Sequence, residues 1–123
     1  MTSATETPTD WHIAALSAEL GADPLARRIG STKIVLFRRQ DGTVAALADL
    51  CPHQDLPLST GWVVDGAIEC LHHGLRFDGA GTCIHMPAQD PSRIPERFKV
   101  ATFPARESDG QVLVGMPTAA PPE

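Results

Sequence analysis

No run of eighteen apolar residues occurs in the 123-residue chain, so a membrane-spanning helix is excluded. The first residues lack a charged segment followed by an apolar one, which argues against a secretory signal. A basic excess is missing too. Lys and Arg number 10 against 15 Asp and Glu, a formal net charge of −5, whereas nucleic-acid binding calls for a basic face. Neither a Gly-rich phosphate loop nor a strand–helix–strand alternation is present, which leaves nucleotide binding without support. The length suits one domain and leaves no room for a large catalytic apparatus. A chain of this size buries roughly 65% of its unfolded surface, enough for one modest core.

Cysteine is scarce as well. Three residues, Cys51, Cys70 and Cys83, cannot make a complete disulfide framework, because one is left over. Counting alone leaves a pairing of Cys51 with Cys70 or Cys83 open. Without an export signal the expected compartment is the reducing cytoplasm, where thiols more often bind metal or do redox chemistry.

What is present is a β pattern. Hydrophobic residues reach 42%, against general disorder, and 21 Gly and Pro together favour short strands and turns (10 Gly, 11 Pro). Strands are predicted at Trp11 to Ala14, Leu25 to Ile29, Thr32 to Phe37 and Val44 to Ala48. Further strands are predicted at Trp62 to Val64, Ala67 to Ile68, Arg76 to Phe77, Thr82 to Ile84, Phe98 to Phe103 and Val112 to Val114. Gly30-Ser31, Asp41-Gly42 and above all Asp65-Gly66 are the turn signals between them. Ser17 is the expected cap of a short helical turn reaching Leu20. The polar start, 1–9, and the Pro-rich tail, 117–123, are expected to be disordered. The fold class is therefore all-β, an antiparallel sandwich or small barrel spanning 10–116.

Four of the five histidines (His53, His72, His73 and His85) share one 35-residue stretch with all three cysteines. Within it, Cys51-Pro52-His53 is followed after sixteen residues by Cys70-Leu71-His72-His73-Gly74. Two sulfurs and two imidazoles fit a tetrahedral Zn site. They equally fit a 2Fe–2S cluster in which two Cys hold one iron and two His the other. Zinc fingers usually pair Cys with Cys and His with His in separate arms. Here each arm carries one of each, as two irons side by side require.

The string CPHQDLPLSTGWVVDGAIECLHHGLRFDGAGTC resembles the Rieske domain of ring-hydroxylating and demethylating oxygenases. That family's pattern is C-x-H, fifteen to seventeen residues, then C-x-x-H, which Cys51, His53, Cys70 and His73 satisfy. Gly74 to Gly79 is similar to its H-G-x-x-F-D run, and the segments WHIAALSAEL and PLARRIGSTKIVLFR resemble the start of vanillate-demethylase-type oxygenases. The resemblance covers about residues 11–115. It implies antiparallel sheets, with a cluster-binding subdomain of two hairpin loops and a 2Fe–2S cofactor held by Cys51, His53, Cys70 and His73. Thiolates at Cys51 and Cys70 would keep the potential down, and neutral imidazoles at His53 and His73 would raise it above that of all-cysteine ferredoxins. Each imidazole keeps a second ring nitrogen for a proton or a partner. Gly74 would let backbone N–H groups approach the sulfides, and Pro87 matches a shielding third loop.

The departures from the pattern carry expectations of their own. Rieske proteins of the cytochrome bc complexes have two further cysteines where this chain has Leu56 and His72, so that bridge is absent. High-potential members donate a serine and a tyrosine hydroxyl to the cluster; here Leu75 stands at the serine place and tyrosine is absent altogether. The expected potential is therefore near the low end of the Rieske range, about −150 mV. His72 is expected to line or tune the cluster face. Cys83, Trp62 and Phe77 are expected in the core, and His12 and His85 as ordinary polar residues.

A terminal oxygenase also needs a mononuclear iron held by two His and a carboxylate. The remaining histidines, His12, His72 and His85, lack the close spacing of such a site, and in the family it lies in a second domain. The expected function is a small ferredoxin-like one-electron carrier between a reductase and an oxygenase, with oxygen activation on another polypeptide. A Rieske subunit of an oxygenase, active only with a separate catalytic chain, is the alternative, and a zinc-binding structural module the third. Neither nucleic acid nor membrane is an expected partner, and the acidic balance fits a basic redox partner.

Overall fold

The computed structural model describes residues 9–50, 57–71, 74–86 and 99–117. Among the described residues the only helical pieces are two 3₁₀ turns, Ser17–Glu19 and Leu58–Thr60. Every strand pair is antiparallel. The strands are β1 (Thr9–Leu16), β2 (Leu25–Ile29), β3 (Thr32–Arg38), β4 (Val44–Ala48), β5 (Trp62–Val64) and β6 (Ala67–Glu69). They continue with β7 (Arg76–Phe77), β8 (Cys83–His85), β9 (Thr102–Phe103), β10 (Ala105–Ser108) and β11 (Gln111–Pro117). Three sheets result, in the orders β1-β11-β10, β2-β3-β4-β9 and β5-β6-β7-β8.

The middle sheet is buried on both faces, and its sequence shows why. Ile34-Val35-Leu36-Phe37 and Val44-Ala45-Ala46-Leu47 are continuous apolar runs, and all eight residues are buried. A strand with one wet face would alternate instead. Ile34, Leu36, Val44 and Ala46 pack with Ala14, Ala15, Leu20, Val112 and Val114. From the opposite face, Val35, Phe37, Ala45 and Leu47 pack with Leu58, Ile68, Cys70, Leu75, Phe77, Cys83 and Val100. This second layer includes Cys70, one of the predicted donors.

The predicted hairpins form. Asp65 and Gly66 both take positive φ, 52° and 78°, the type I′ geometry that joins β5 to β6 without splaying them. Ile29 pairs with Thr32 across Gly30-Ser31. Residues 99–103 then tie the layers together. Thr82 bridges Lys99, the Val100 N–H donates to the Gly81 carbonyl at 2.8 Å, and the Ala48 N–H donates to the Ala101 carbonyl at 2.8 Å.

Several boundaries differ from the sequence reading. β1 is longer than Trp11 to Ala14 because it pairs with β11 from Thr9↔Pro117 to Leu16↔Gln111, and a register shift between Ile13 and Ala15 puts Ala14 and Ala15 both inside. Thr9 and Pro117, assigned to the tails, are thus strand residues; 1–8 and 118–123 lie outside the described residues. Ser17 is the first residue of the 3₁₀ turn rather than its cap. The Leu16 N–H instead donates to Glu19 Oε1 at 2.8 Å. Strand β8 starts at Cys83, not Thr82, and Phe98 lies outside the described residues. Polar β10 has no apolar alternation to reveal it, and Asp109-Gly110, the turn into β11, was its only sequence signal.

Candidate metal centre

The second predicted donor arm falls between β6 and β7. Glu69 and Arg76 are paired across the two strands, so residues 70–75 close the ladder. Within that loop the Cys70 N–H donates to the Leu75 carbonyl at 2.7 Å, and the Gly74 N–H donates to the Cys70 carbonyl at 3.1 Å. Both backbone groups of Cys70 are thereby satisfied while its side chain is buried and unpaired by any disulfide. Gly74 sits at φ +69°, a left-handed turn that a side chain would strain. Leu75, at the serine place, is buried in the core.

The first donor arm, 51–56, lies outside the described residues, but both of its feet are described. Asp49 stands before it and accepts from Ser59 behind it, N–H to Oδ1 at 2.7 Å and hydroxyl to Oδ2 at 2.6 Å. Leu58, in the 3₁₀ turn, anchors the returning chain in the core. Gly61 then presses on the second arm. A Cβ there would overlap the Glu69 carbonyl oxygen and come within 3.2 Å of the Leu71 nitrogen. The two arms, sixteen residues apart in sequence, are thus joined at their bases.

Of the four predicted donors, Cys70 is described, and Cys51, His53 and His73 lie outside the described residues, as do His72, Leu56 and Pro87. Among the described residues no group of three or more His, Cys, Asp or Glu could hold a metal ion. Sequence reasoning missed the bracing residues Asp49, Ser59, Gly61, Glu69 and Arg76. Only the Gly between Thr60 and Trp62 offered a signal.

Around the site, Phe77 and Cys83 are buried as expected. Burial pushes the Cys83 thiol above its ordinary range, and its sulfur lies 3.5 Å from the His85 carbonyl oxygen. His12 and His85 are exposed. Trp62 corrects an expectation: it is 44% exposed rather than core. Its indole N–H donates to Glu69 Oε2 at 2.9 Å on the next strand, and that carboxylate's Oε1 accepts from Arg76 Nε at 2.7 Å.

The donor set admitted zinc or a 2Fe–2S cluster, and comparison with known proteins decides between them. Residues 10–104 match the Rieske [2Fe-2S] domain family. The chain is 45% identical over 114 residues to the oxygenase component of dicamba O-demethylase from Stenotrophomonas maltophilia, covering 91% of this chain and 33% of that protein. It is 41% identical over 85 residues to the vanillate O-demethylase oxygenase subunit of Pseudomonas sp. (strain HR199 / DSM 7063), covering 69% of this chain and 24% of that one. The crystal structure of dicamba monooxygenase with non-heme iron and dicamba superposes with a TM-score of 0.81 at 43% identity, over 97% of this chain and 37% of that one. The chain thus spans about a third or less of the length of these curated relatives. Its buried, disulfide-free Cys70, at the mouth of a loop whose base packs against Gly61, suits a thiolate ligand of such a cluster. The chain belongs to the Rieske [2Fe-2S] domain family, and its cofactor is a Rieske-type 2Fe–2S cluster.

Proposed function

We propose that Cys51, His53, Cys70 and His73 hold the cluster and that this domain, 10–116, transfers single electrons from a reductase to the catalytic iron of an oxygenase. The observation that carries the reading is Cys70, buried and fixed by two backbone hydrogen bonds in a chain that matches the Rieske domain over 10–104. When bound, a Rieske cluster supplies reversible one-electron chemistry. The chain's own residues do the rest. Cys70 and Cys51 contribute thiolates, whose two negative charges balance the oxidised core. His53 and His73 contribute neutral imidazoles, each keeping one ring nitrogen to hold a proton or to hydrogen-bond a redox partner. Leu58, Leu75 and Phe77 exclude water behind Cys70.

The second reading, in which the domain works as the Rieske part of an oxygenase, has a specific observation behind it. Relatives named as an oxygenase component and as an iron-sulfur subunit of a monooxygenase system align over 91% and 92% of this chain but only 33% of their own length. A cytoplasmic setting belongs to the same proposal; among the described residues no helix is long and apolar enough to cross a membrane.

Iron and acid-labile sulfide in equal amounts, two of each per chain, with a rhombic Rieske spectrum on reduction, are the expected result. A single zinc and no sulfide would sink the proposal. Adding the loaded protein to an oxygenase lacking its own electron source then separates the readings. Stimulated turnover supports the carrier, and activity only when joined to a catalytic domain supports the oxygenase part.

A further inference from the structure

On the third sheet, one polar row crosses beside the second donor arm. Trp62 of β5 pairs with Glu69 of β6, Glu69 with Arg76 of β7, and Arg76 with His85 of β8. Glu69 immediately precedes Cys70, and Arg76 immediately follows Leu75, so the row lies across the mouth of the loop. Its centre is well ordered by contacts. The Glu69 carboxylate accepts from the Arg76 guanidinium at 2.7 Å and from the Trp62 indole at 2.9 Å, and it is the least exposed member of the ion pair, 16% against 33% for Arg76. A surface ion pair adds little stability. Glu69 is one residue from Cys70 and Arg76 is bonded to Glu69, so the pair adjoins a centre to which reduction adds one negative charge. The carboxylate opposes that charge and the guanidinium favours it.

We propose that Glu69 and Arg76 are positioning residues that set the reduction potential of the adjoining centre, their opposite charges held in balance at the loop mouth with Trp62 orienting the carboxylate. The inference rests on the cluster assignment made under Proposed function. Outer-layer groups commonly tune a metal centre in this way. Glu69 keeps the Trp62 indole N–H when Arg76 is replaced, whereas the bond that Arg76 donates goes to Glu69 itself.

The test is a potentiometric titration of the cluster-loaded protein, with iron and sulfide content and the reduced-state spectrum measured alongside. Glu69→Gln is nearly isosteric and keeps one carbonyl oxygen, enough to accept from Trp62 or Arg76 in place of the two carboxylate oxygens. It is expected to raise the potential, increasing the reduced-to-oxidised ratio severalfold at a fixed applied potential. Arg76→Met is expected to lower it, the double variant to fall between, and Arg76→Lys to stay near the parent value. High salt should shrink all of these shifts, because the pair is partly exposed. Potentials that do not move in fully loaded Glu69→Gln protein, or that move the same way in both single variants, overturn the inference. Should Arg76→Met fail to load, Glu69→Gln and Arg76→Lys still decide it. A parent protein without two irons and two sulfides would instead overturn the cluster assignment, so the two failures are distinguishable.

Discussion

The carboxylate of Asp49 takes both donors of Ser59, the backbone N–H at 2.7 Å and the hydroxyl at 2.6 Å. One side chain thereby fastens the two ends of the segment that holds Cys51 and His53. The bonds are partly buried and charge-assisted, the kind that contributes about 1.5–3 kcal/mol. Asp49→Ala is therefore expected to lower stability by about 2 kcal/mol in urea unfolding of the loaded protein. Cluster loss on standing, followed by visible absorbance, should accelerate at the same time. Ser59→Ala keeps the backbone bond and should cost less; equal losses for both variants would contradict this account.

Gly61 is a position of contact rather than of conformation. Its φ of −90° is not left-handed, yet a Cβ would overlap the Glu69 carbonyl oxygen. Backbone cannot rotate away as a side chain can, so Gly61→Ala must push its own segment away from Glu69 at the base of the second arm. A cost of about 1–3 kcal/mol is expected from overpacking, with reduced iron and sulfide content per chain. A variant as stable and as fully loaded as the parent would show that the arms are not braced here.

Away from the site, Glu107 joins β10 to β3 through a two-pronged bond to Arg38, 3.0 and 2.8 Å. Hydrogen bonds from Arg38 and then Ser17 hold its carboxyl down at about 2, against an ordinary 4.5. A carboxyl depressed by folding contributes stability that is complete above its unfolded value. That stability is lost as pH falls from about 4.5 toward 2. Urea midpoints of the parent and Glu107→Gln should differ at pH 6 and converge near pH 2, with salt narrowing the gap at pH 6. A gap that persists undiminished at pH 2 would exclude the ion pair as its cause.

The reduction potential of the loaded protein is expected near the low end of the Rieske range, about −150 mV. The reason is local. A buried leucine, Leu75, stands at the serine place, and no tyrosine exists to donate a second hydroxyl. Fewer hydrogen bonds to the sulfurs leave the reduced state less stabilised. Direct electrochemistry giving a value well above zero would overturn the argument.

Much of this was legible in the chain because it is local chemistry. Two-residue turns such as Asp65-Gly66 specify their own hairpins through positive φ, and runs such as Ile34 to Phe37 announce a strand buried on both faces. The spacing from Cys51 to His73 identified the family, since ligand types at fixed intervals reflect what a metal accepts. Tertiary structure decided the rest. It placed Trp62 outside, because its strand turns that residue onto the open face of the third sheet, where Glu69 takes its N–H. It set Asp49 against Ser59, Gly61 against Glu69, and Glu69 between Trp62 and Arg76. Each of these pairs depends on which strands lie side by side, and a residue's type carries no record of its neighbour across a sheet.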